Sequence, residues 1–269
     1  MTREPGRPDD PWSRASWRRL IAWEKRIERE APFLERCLGP HRADGVVDLG
    51  CGSGEHVAWF ATQGVRAVGV DRSTSMIESA RDHERAGHGR FVEGTIDEAP
   101  ALLASEAPFG LVICLGNVLP YVDTPEALDR FFEVAAALLV PGGRLLVQIL
   151  AYDSLRARGQ RALPVNVRPG ESDGEEIVFL RLLTFRDDDR VVFVPATFGL
   201  DVDADPPLRM ETCRRVEVMG WTDRHLVPRA EAHGFDVQLF GDMEGGAYDV
   251  QRSHDLVLLA TKRGGVSDR

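Results

Sequence analysis

Val46-Val47-Asp48-Leu49-Gly50-Cys51-Gly52-Ser53-Gly54 is the stretch that decides the fold. Two β-branched residues lead into an acid, a tight glycine turn follows, and the apolar run Val57 to Ala61 then reads as a helix. A second apolar strand, Ala67-Val68-Gly69-Val70, ends in Asp71, seventeen residues past Gly54. Strand, glycine turn, helix and an acid-tipped second strand make a βαβ unit of the kind that cradles a nucleoside. The acid is placed to accept hydrogen bonds from vicinal ribose hydroxyls. The glycines let backbone approach a ligand where a Cβ would collide.

The glycine spacing bears on which nucleoside is held. Dinucleotide sites use G-x-G-x-x-G, whose third glycine lets the helix pack closely under a pyrophosphate. Here the third glycine comes one residue early, and Glu55 follows it. A carboxylate at a helix N-terminus suits the helix dipole and would repel a phosphate. A sulfonium cofactor has no phosphate and carries positive charge, so acids suit it. The run Asp48-x-Gly50-x-Gly52-x-Gly54 resembles the first motif of the class I S-adenosylmethionine-dependent methyltransferases.

Composition narrows the remaining classes. A chain of 269 residues, 43% hydrophobic, buries a full core as one domain with an insertion or as two small domains. No run of about 18 apolar residues occurs, so no transmembrane helix is expected. Met1 to Pro11 has no apolar stretch, so no secretory signal is expected. The four cysteines are scattered without a C-x-x-C pair, which disfavours zinc and a disulfide framework and suits a reducing cytoplasm. A net charge of −10 disfavours DNA or RNA as the main partner. Residues 1 to 43 carry ten basic against seven acidic side chains, which reads as a solvated helix face or a local basic lid.

Along the chain, residues 1–11 read as a disordered tail. Trp17, Leu20, Ile21, Ile27 and Ala31 form a helical stripe from Ser16 to Ala31, ended or kinked by Pro32. A short helix, Phe33 to Leu38, leads into the first strand, Gly45 to Leu49. Ser73 or Ser75 caps the next helix, and Ser75-x-x-Glu78 matches a capping box. Strands three and four are Arg90 to Glu93 and Phe109 to Leu115. Thr124-Pro125-Glu126 opens a helix, and Arg144 to Leu150 is an apolar fifth strand suited to the centre of a parallel sheet. Residues 151–220 change character. Strand-like stretches at Glu176 to Arg186, Arg190 to Leu200 and Met210 to Met219 read as an antiparallel insertion, with a hairpin turn at residues 185–190. A helix from Thr222 to His233, with Pro228 inside, and strands at Phe235 to Phe240 and Asp255 to Thr261 restore the α/β pattern.

These stretches together resemble the small-molecule branch of the class I methyltransferases over residues 20–150 and 220–263. The resemblance implies an α/β, Rossmann-like, doubly wound seven-stranded sheet with an N-terminal helical lid and an antiparallel β insertion after strand five. The expected division is 1–43 tail and lid, 44–150 cofactor-binding core, 151–220 cap, 221–263 returning core and 264–269 tail. It also implies S-adenosylmethionine as cofactor. Asp48, Gly50, Cys51, Gly52, Ser53 and Gly54 would face its methionine part and Asp71 its ribose. Arg72 and Met76 would lie near the adenine, whose edge Thr95, Ile96 and Asp97 would read, and Leu115 would lie beside the sulfonium. A narrower similarity to glycine N-methyltransferase-like enzymes places Asn117 toward substrate and makes Arg26 a lid arginine on the cofactor carboxylate. The arginine that those enzymes use to hold a substrate carboxylate is absent, with Leu150 in its place, which argues against glycine itself.

Each residue also has a plainer reading. Arg26 can pair with Glu30 along one helix face, Trp17 and Trp23 can be lid packing, and Asn117 can cap the next element. Tyr121, Tyr152 and Tyr248 can be core residues with satisfied hydroxyls. Tyr121 and Tyr152 are the substrate-side candidates, Tyr152 the preferred one because it follows strand five. His225 and His254 are weak candidates for a general base, so no catalytic base is named. Asp187-Asp188-Asp189 is a hairpin tip, and no metal is expected. The function expected is in-line methyl transfer to nitrogen or oxygen of a small molecule, by a cytoplasmic protein without DNA or membrane partners that can form a homo-oligomer. Methylation of protein or RNA, and cofactor binding without catalysis, are the alternatives. A nicotinamide-dependent oxidoreductase is opposed by the early third glycine and Glu55.

Overall fold

The structure is a computed structural model and describes residues 20–82, 89–170 and 175–264. A long helix, α1 (Trp23–Leu38), and a 3-10 segment, Gly39–Asp44, come first. Strands and helices then alternate: β1 (Val46–Leu49), α2 (Glu55–Thr62), β2 (Ala67–Asp71), α3 (Thr74–Arg81), β3 (Arg90–Glu93), α4 (Ala99–Leu102), β4 (Phe109–Cys114), α5 (Pro125–Leu138) and β5 (Leu139–Leu150). An insertion follows, made of α6 (Tyr152–Ala157), β6 (Asn166–Pro169), β7 (Glu176–Phe185), β8 (Arg190–Leu200), β9 (Leu208–Cys213) and β10 (Val216–Met219). The chain returns through α7 (Asp223–Ala232), β11 (Phe235–Phe240) and β12 (Asp255–Lys262).

Seven strands form one sheet in the order β11-β12-β5-β4-β1-β2-β3. Strands β1 to β5 are parallel, and β12 runs antiparallel to both of its neighbours. The central strand β4 is buried along its whole length, as a strand covered on both faces must be. Its side chains alternate between two helical layers. Leu111 and Ile113 pack with Leu34, Leu38, Phe60 and Ile77 from α1, α2 and α3. Val112 and Cys114 pack with Phe131, Phe132, Leu226 and Ala230 from α5 and α7.

Helix starts follow local chemistry. The Ser73 hydroxyl accepts from Met76 N–H at 3.2 Å to begin α3. The Ser75-x-x-Glu78 box is not the start, because Ser75 already lies within the first turn. Thr124 accepts from Ala127 N–H at 3.1 Å, with Pro125 opening α5 as expected.

Two expectations about the N-terminal helix are corrected. The helix does not run unbroken from Ser16, since Ile21 and Ala22 are non-helical and α1 begins at Trp23; Trp17 lies outside the described residues. Nor does Pro32 end it. Phe33, Leu34, Cys37 and Leu38 are buried in the sheet core, and that packing outweighs the backbone hydrogen bond that proline forfeits. Pro228 is held inside α7 in the same way, between buried Leu226 and Ala230.

The insertion holds a short helix and five strands where three strands were expected. The stretch Met210 to Met219 is two strands, β9 and β10, both paired with β8. The break falls at Arg214 and Arg215, where Arg214 N–H donates to Pro195 O at 3.0 Å. Pro195 has no N–H to return on that side. Among the described residues no helix is long and apolar enough to cross a membrane.

Candidate functional site

The carboxyl ends of β1, β2, β4 and β5 open into one cavity of about 630 Å³. It lies where the strand order reverses beside β1, the position at which open α/β sheets take ligands. The first turns of α1 border it with Trp23, Arg26, Arg29 and Glu30, and the insertion contributes Leu163, Arg181 and Phe193.

Its first wall is the loop after β1. Gly50 and Cys51 N–H donate to Val70 O at 2.8 and 3.1 Å, tying the loop down on β2. Asp71 completes the tie. Its Oδ2 accepts from Gly52 N–H at 2.8 Å and its Oδ1 from Ser73 N–H at 2.9 Å. One carboxylate therefore shapes the loop and lines the cavity. Gly50 has φ +83°, and a Cβ there would meet Val118 Cγ1 at 2.4 Å. Gly52 has φ +53° and is the opposite case: a Cβ would meet nothing within 4 Å. Its open side is a cradle.

Charge in this wall is heavily desolvated. Asp48 is 2% exposed. Burial above all pushes its carboxyl up to about 7, against the pull of His56 and Arg26. Ser53 Oγ donates to Glu55 Oε2 at 2.7 Å, so the acid after the third glycine has an internal partner. Glu30 on α1 is also buried. Its Oε2 lies 2.9 Å from His56 Nε2 on α2, and its Oε1 accepts from Arg26 Nε at 2.8 Å. Burial raises the Glu30 carboxyl, but His56 and Arg26 outweigh it and hold the group at about 2. This cluster latches α1 to α2. The ion pair read as the plain alternative for Arg26 is present, and Arg26 lines the cavity as well.

The far wall comes from the β4 and β5 exits. Asn117 sits at φ +66°. Its Oδ1 accepts from Leu150 N–H at 3.0 Å, and its Nδ2 donates to the Tyr152 hydroxyl at 2.9 Å. Its amide therefore pins the two strand ends together. Gln148 makes a second polar bridge. Its Oε1 accepts from Gly116 N–H and its Nε2 donates to Asp255 Oδ1, both at 2.8 Å. Burial raises the Asp255 carboxyl. Thr95 turns its N–H and hydroxyl to Glu98, both at 2.8 Å.

Arg26, Asp48, Gly50, Cys51, Gly52, Ser53, Asp71, Arg72, Met76, Thr95, Ile96, Asp97, Leu115, Asn117 and Tyr121 all line this cavity. Gly54 and Tyr152 do not. Gly54 faces Phe91, which a Cβ would strike at 2.5 Å. Tyr152 is 3% exposed and serves as the prop for Asn117. His225 and His254 are also outside the wall; His225 Nδ1 accepts from Thr222 N–H at 3.2 Å and caps α7. Sequence reasoning missed Glu30, His56, Gln148, Arg181 and Asp255. Gln148 left a signal, being the lone polar residue between Leu145 and Leu150 in a buried strand.

Residues 46–143 match the family described as a methyltransferase domain. That stretch of the chain is similar to a methyltransferase domain. The glycine/sarcosine N-methyltransferase of Parasynechococcus marenigrum is 30% identical over 147 residues, 53% of this chain and 51% of that one. A ubiquinone biosynthesis O-methyltransferase of Xylella fastidiosa is 35% identical over 106 residues, 39% of this chain and 41% of that one. The chain thus spans about half the length of the curated relatives it matches, or less. Among solved structures, the sugar N-methyltransferase from Streptoalloteichus superposes with TM-score 0.71 at 17% identity, covering 98% of both chains. An S-adenosylmethionine-dependent methyltransferase from Clostridium acetobutylicum gives 0.69 at 17% identity, covering 88% of this chain and 92% of that one. These likenesses establish the class I methyltransferase fold, with the seven-stranded sheet and the antiparallel insertion as expected.

The latch gives a measurable expectation. Glu30→Ala strands the buried His56 and the half-buried Arg26 and should cost about 3 kcal/mol in urea unfolding at pH 7. The stabilisation from the depressed Glu30 carboxyl is complete above pH 4.5 and is lost as pH falls toward 2. Unfolding curves across that window should converge for wild type and variant.

Proposed function

We propose that this protein transfers the methyl group of S-adenosylmethionine to a nitrogen or oxygen of a small molecule. The observation that carries this reading is one cavity shared by the glycine loop and the insertion. One end is bounded by the glycine loop and Asp71, and the other by an inserted sheet. The residues fit the cofactor on their own terms. The open face of Gly52 leaves backbone room for a ligand, and Asp71 offers acceptor capacity for a ribose. The surrounding acids, Asp48, Asp71 and Asp97, suit a cation without phosphates. Arg26 would hold the cofactor carboxylate with guanidinium nitrogens other than the Nε taken by Glu30. Met76 and Ile96 would flank the adenine and Leu115 the sulfur.

When bound, the cofactor supplies a methyl group already activated by positive sulfur. What remains for the chain is to orient the acceptor and keep water out. Orientation alone can be worth about 7 to 11 kcal/mol. Asn117 and Gln148 hold the β4 and β5 exits in fixed positions beside Leu115, so the floor beneath an acceptor is rigid. Leu150, Leu163 and Phe193 give the acceptor end apolar walls that exclude water. An amine arriving neutral needs no base, which agrees with a cavity whose histidine, His56, is committed to Glu30.

Calorimetric titration with S-adenosylmethionine and with NAD tests the reading. Wild type should bind the sulfonium cofactor and not NAD. Asp71→Ala and Gly52→Val should each weaken binding by about tenfold or more, through the lost acceptor and the filled cradle. Absence of S-adenosylmethionine binding by wild type would overturn the reading. Methyl transfer from labelled cofactor into a metabolite fraction then separates an enzyme from a non-catalytic binder.

Asp48 predicts a pH dependence. Burial raises its carboxyl to about 7, so it holds its proton below that pH and is charged above it. A cationic ligand favours the carboxylate and expels that proton. Affinity for S-adenosylmethionine should therefore strengthen between pH 6 and 8, with proton release visible as a buffer-dependent heat. Asp48→Asn should flatten both.

A further inference from the structure

We infer that the methyl acceptor carries a carboxylate, held by Arg181 of the inserted sheet. This rests on the methyl-transfer reading of the cavity and adds to it the chemical class of the substrate.

Arg181 stands where the pattern of its strand calls for an apolar residue. Along β7, Phe179, Arg181, Leu183 and Phe185 share one face, and Phe179 and Leu183 are buried. An arginine in that register is the informative kind of exception, a charge placed among apolar neighbours. Its guanidinium lies 5.0 Å from the Phe179 ring centre, and its Nη2 donates to Pro164 O at 2.9 Å. These contacts fix the planar group in place without neutralising it. Its Nε is buried and has no hydrogen-bond partner. No carboxylate among the described residues pairs with it. Burial disfavours its charge, so the fold has partly desolvated this cation without pairing it to an acid.

The other cavity-lining arginines are engaged differently. Arg26 is paired with Glu30, Arg29 lies 3.6 Å from Glu244, and Arg72 extends over the Tyr121 ring at 5.8 Å. Arg181 is the cation that the insertion brings to the cavity, and it arrives beside the apolar Leu163 and Phe193. A partly desolvated guanidinium that no carboxylate neutralises is matched best by a planar anion that can accept from neighbouring donors. Its single charge suits a carboxylate. A phosphate dianion would need further cations, and among the described residues the insertion brings no second one to the cavity lining. The acceptor would thus be anchored by its carboxylate at the insertion, with its nucleophile directed toward the β4 exit.

The probes are benzoate, its uncharged counterpart benzamide, acetate and inorganic phosphate. Each is titrated into wild-type protein while the arginine Nε–Hε resonances are followed by NMR. Arg181 is assigned by the signal lost in Arg181→Lys. Benzoate or acetate should shift the Arg181 resonance and benzamide should not. Arg181→Met and Arg181→Lys should weaken benzoate binding by about tenfold or more, while calorimetric affinity for S-adenosylmethionine stays unchanged. A resonance indifferent to carboxylates, an equal response to benzamide, or a response to phosphate alone would overturn the inference. Benzoate binding at Arg181 in a protein that fails to bind S-adenosylmethionine would sustain the anion site and sink the methyl-transfer reading instead.

Discussion

The site hangs on the need of a few backbone amides for acceptors. A loop of three glycines has little side-chain packing of its own, and buried N–H groups cannot be left bare. Val70 O takes two of them and Asp71 takes a third, with Ser73 N–H as a fourth on the same carboxylate. The loop thus borrows its shape from β2. That dependence explains why β1 and β2 must be neighbours in register, Asp48 beside Gly69 and Leu49 beside Val70. A ligand that contacts Asp71 contacts the strut of the loop.

The same logic recurs at the opposite wall. The amide oxygens of Asn117 and Gln148 accept from Leu150 and Gly116 N–H, and their nitrogens donate to the Tyr152 hydroxyl and the Asp255 carboxylate. Buried polar networks of this kind are costly when incomplete and rigid when satisfied. The cavity is therefore stiff on its sheet side. Adaptability is left to α1 and the insertion, the two elements outside the alternating strand and helix pattern.

Much of this was legible in the sequence where one residue type has one physical use. Glycines before a helix, an acid at a strand tip and threonine before proline each announced a local geometry that the chain adopts. Legibility failed where a residue has several uses. Tyr152 follows strand five and so read as substrate-facing, yet its hydroxyl serves Asn117. Gly54 belongs to the motif but faces Phe91, because the third glycine serves helix packing. Pro32 read as a stop or a kink, yet the helix runs through it, since propensity is local and the burial of Phe33, Leu34, Cys37 and Leu38 is not. Arg181 was hidden among three strand-like stretches whose faces had no assigned direction. Once the sheet gives β7 an inside, the arginine stands out.

The N-terminal helix has a consequence of its own. Its last two turns are part of the core and its first turns border the cavity, with Pro32 between. An element embedded at one end cannot swing open like a door. It can open only by local melting of its first turns, which must break the Glu30 bond to His56 and free Leu20, buried just before the helix with its carbonyl accepting from Asn166 Nδ2. Access to the buried glycine loop is then set by helix end-fraying, a local melting equilibrium rather than a rigid-body motion, and would register as fast amide exchange confined to the first turns of α1.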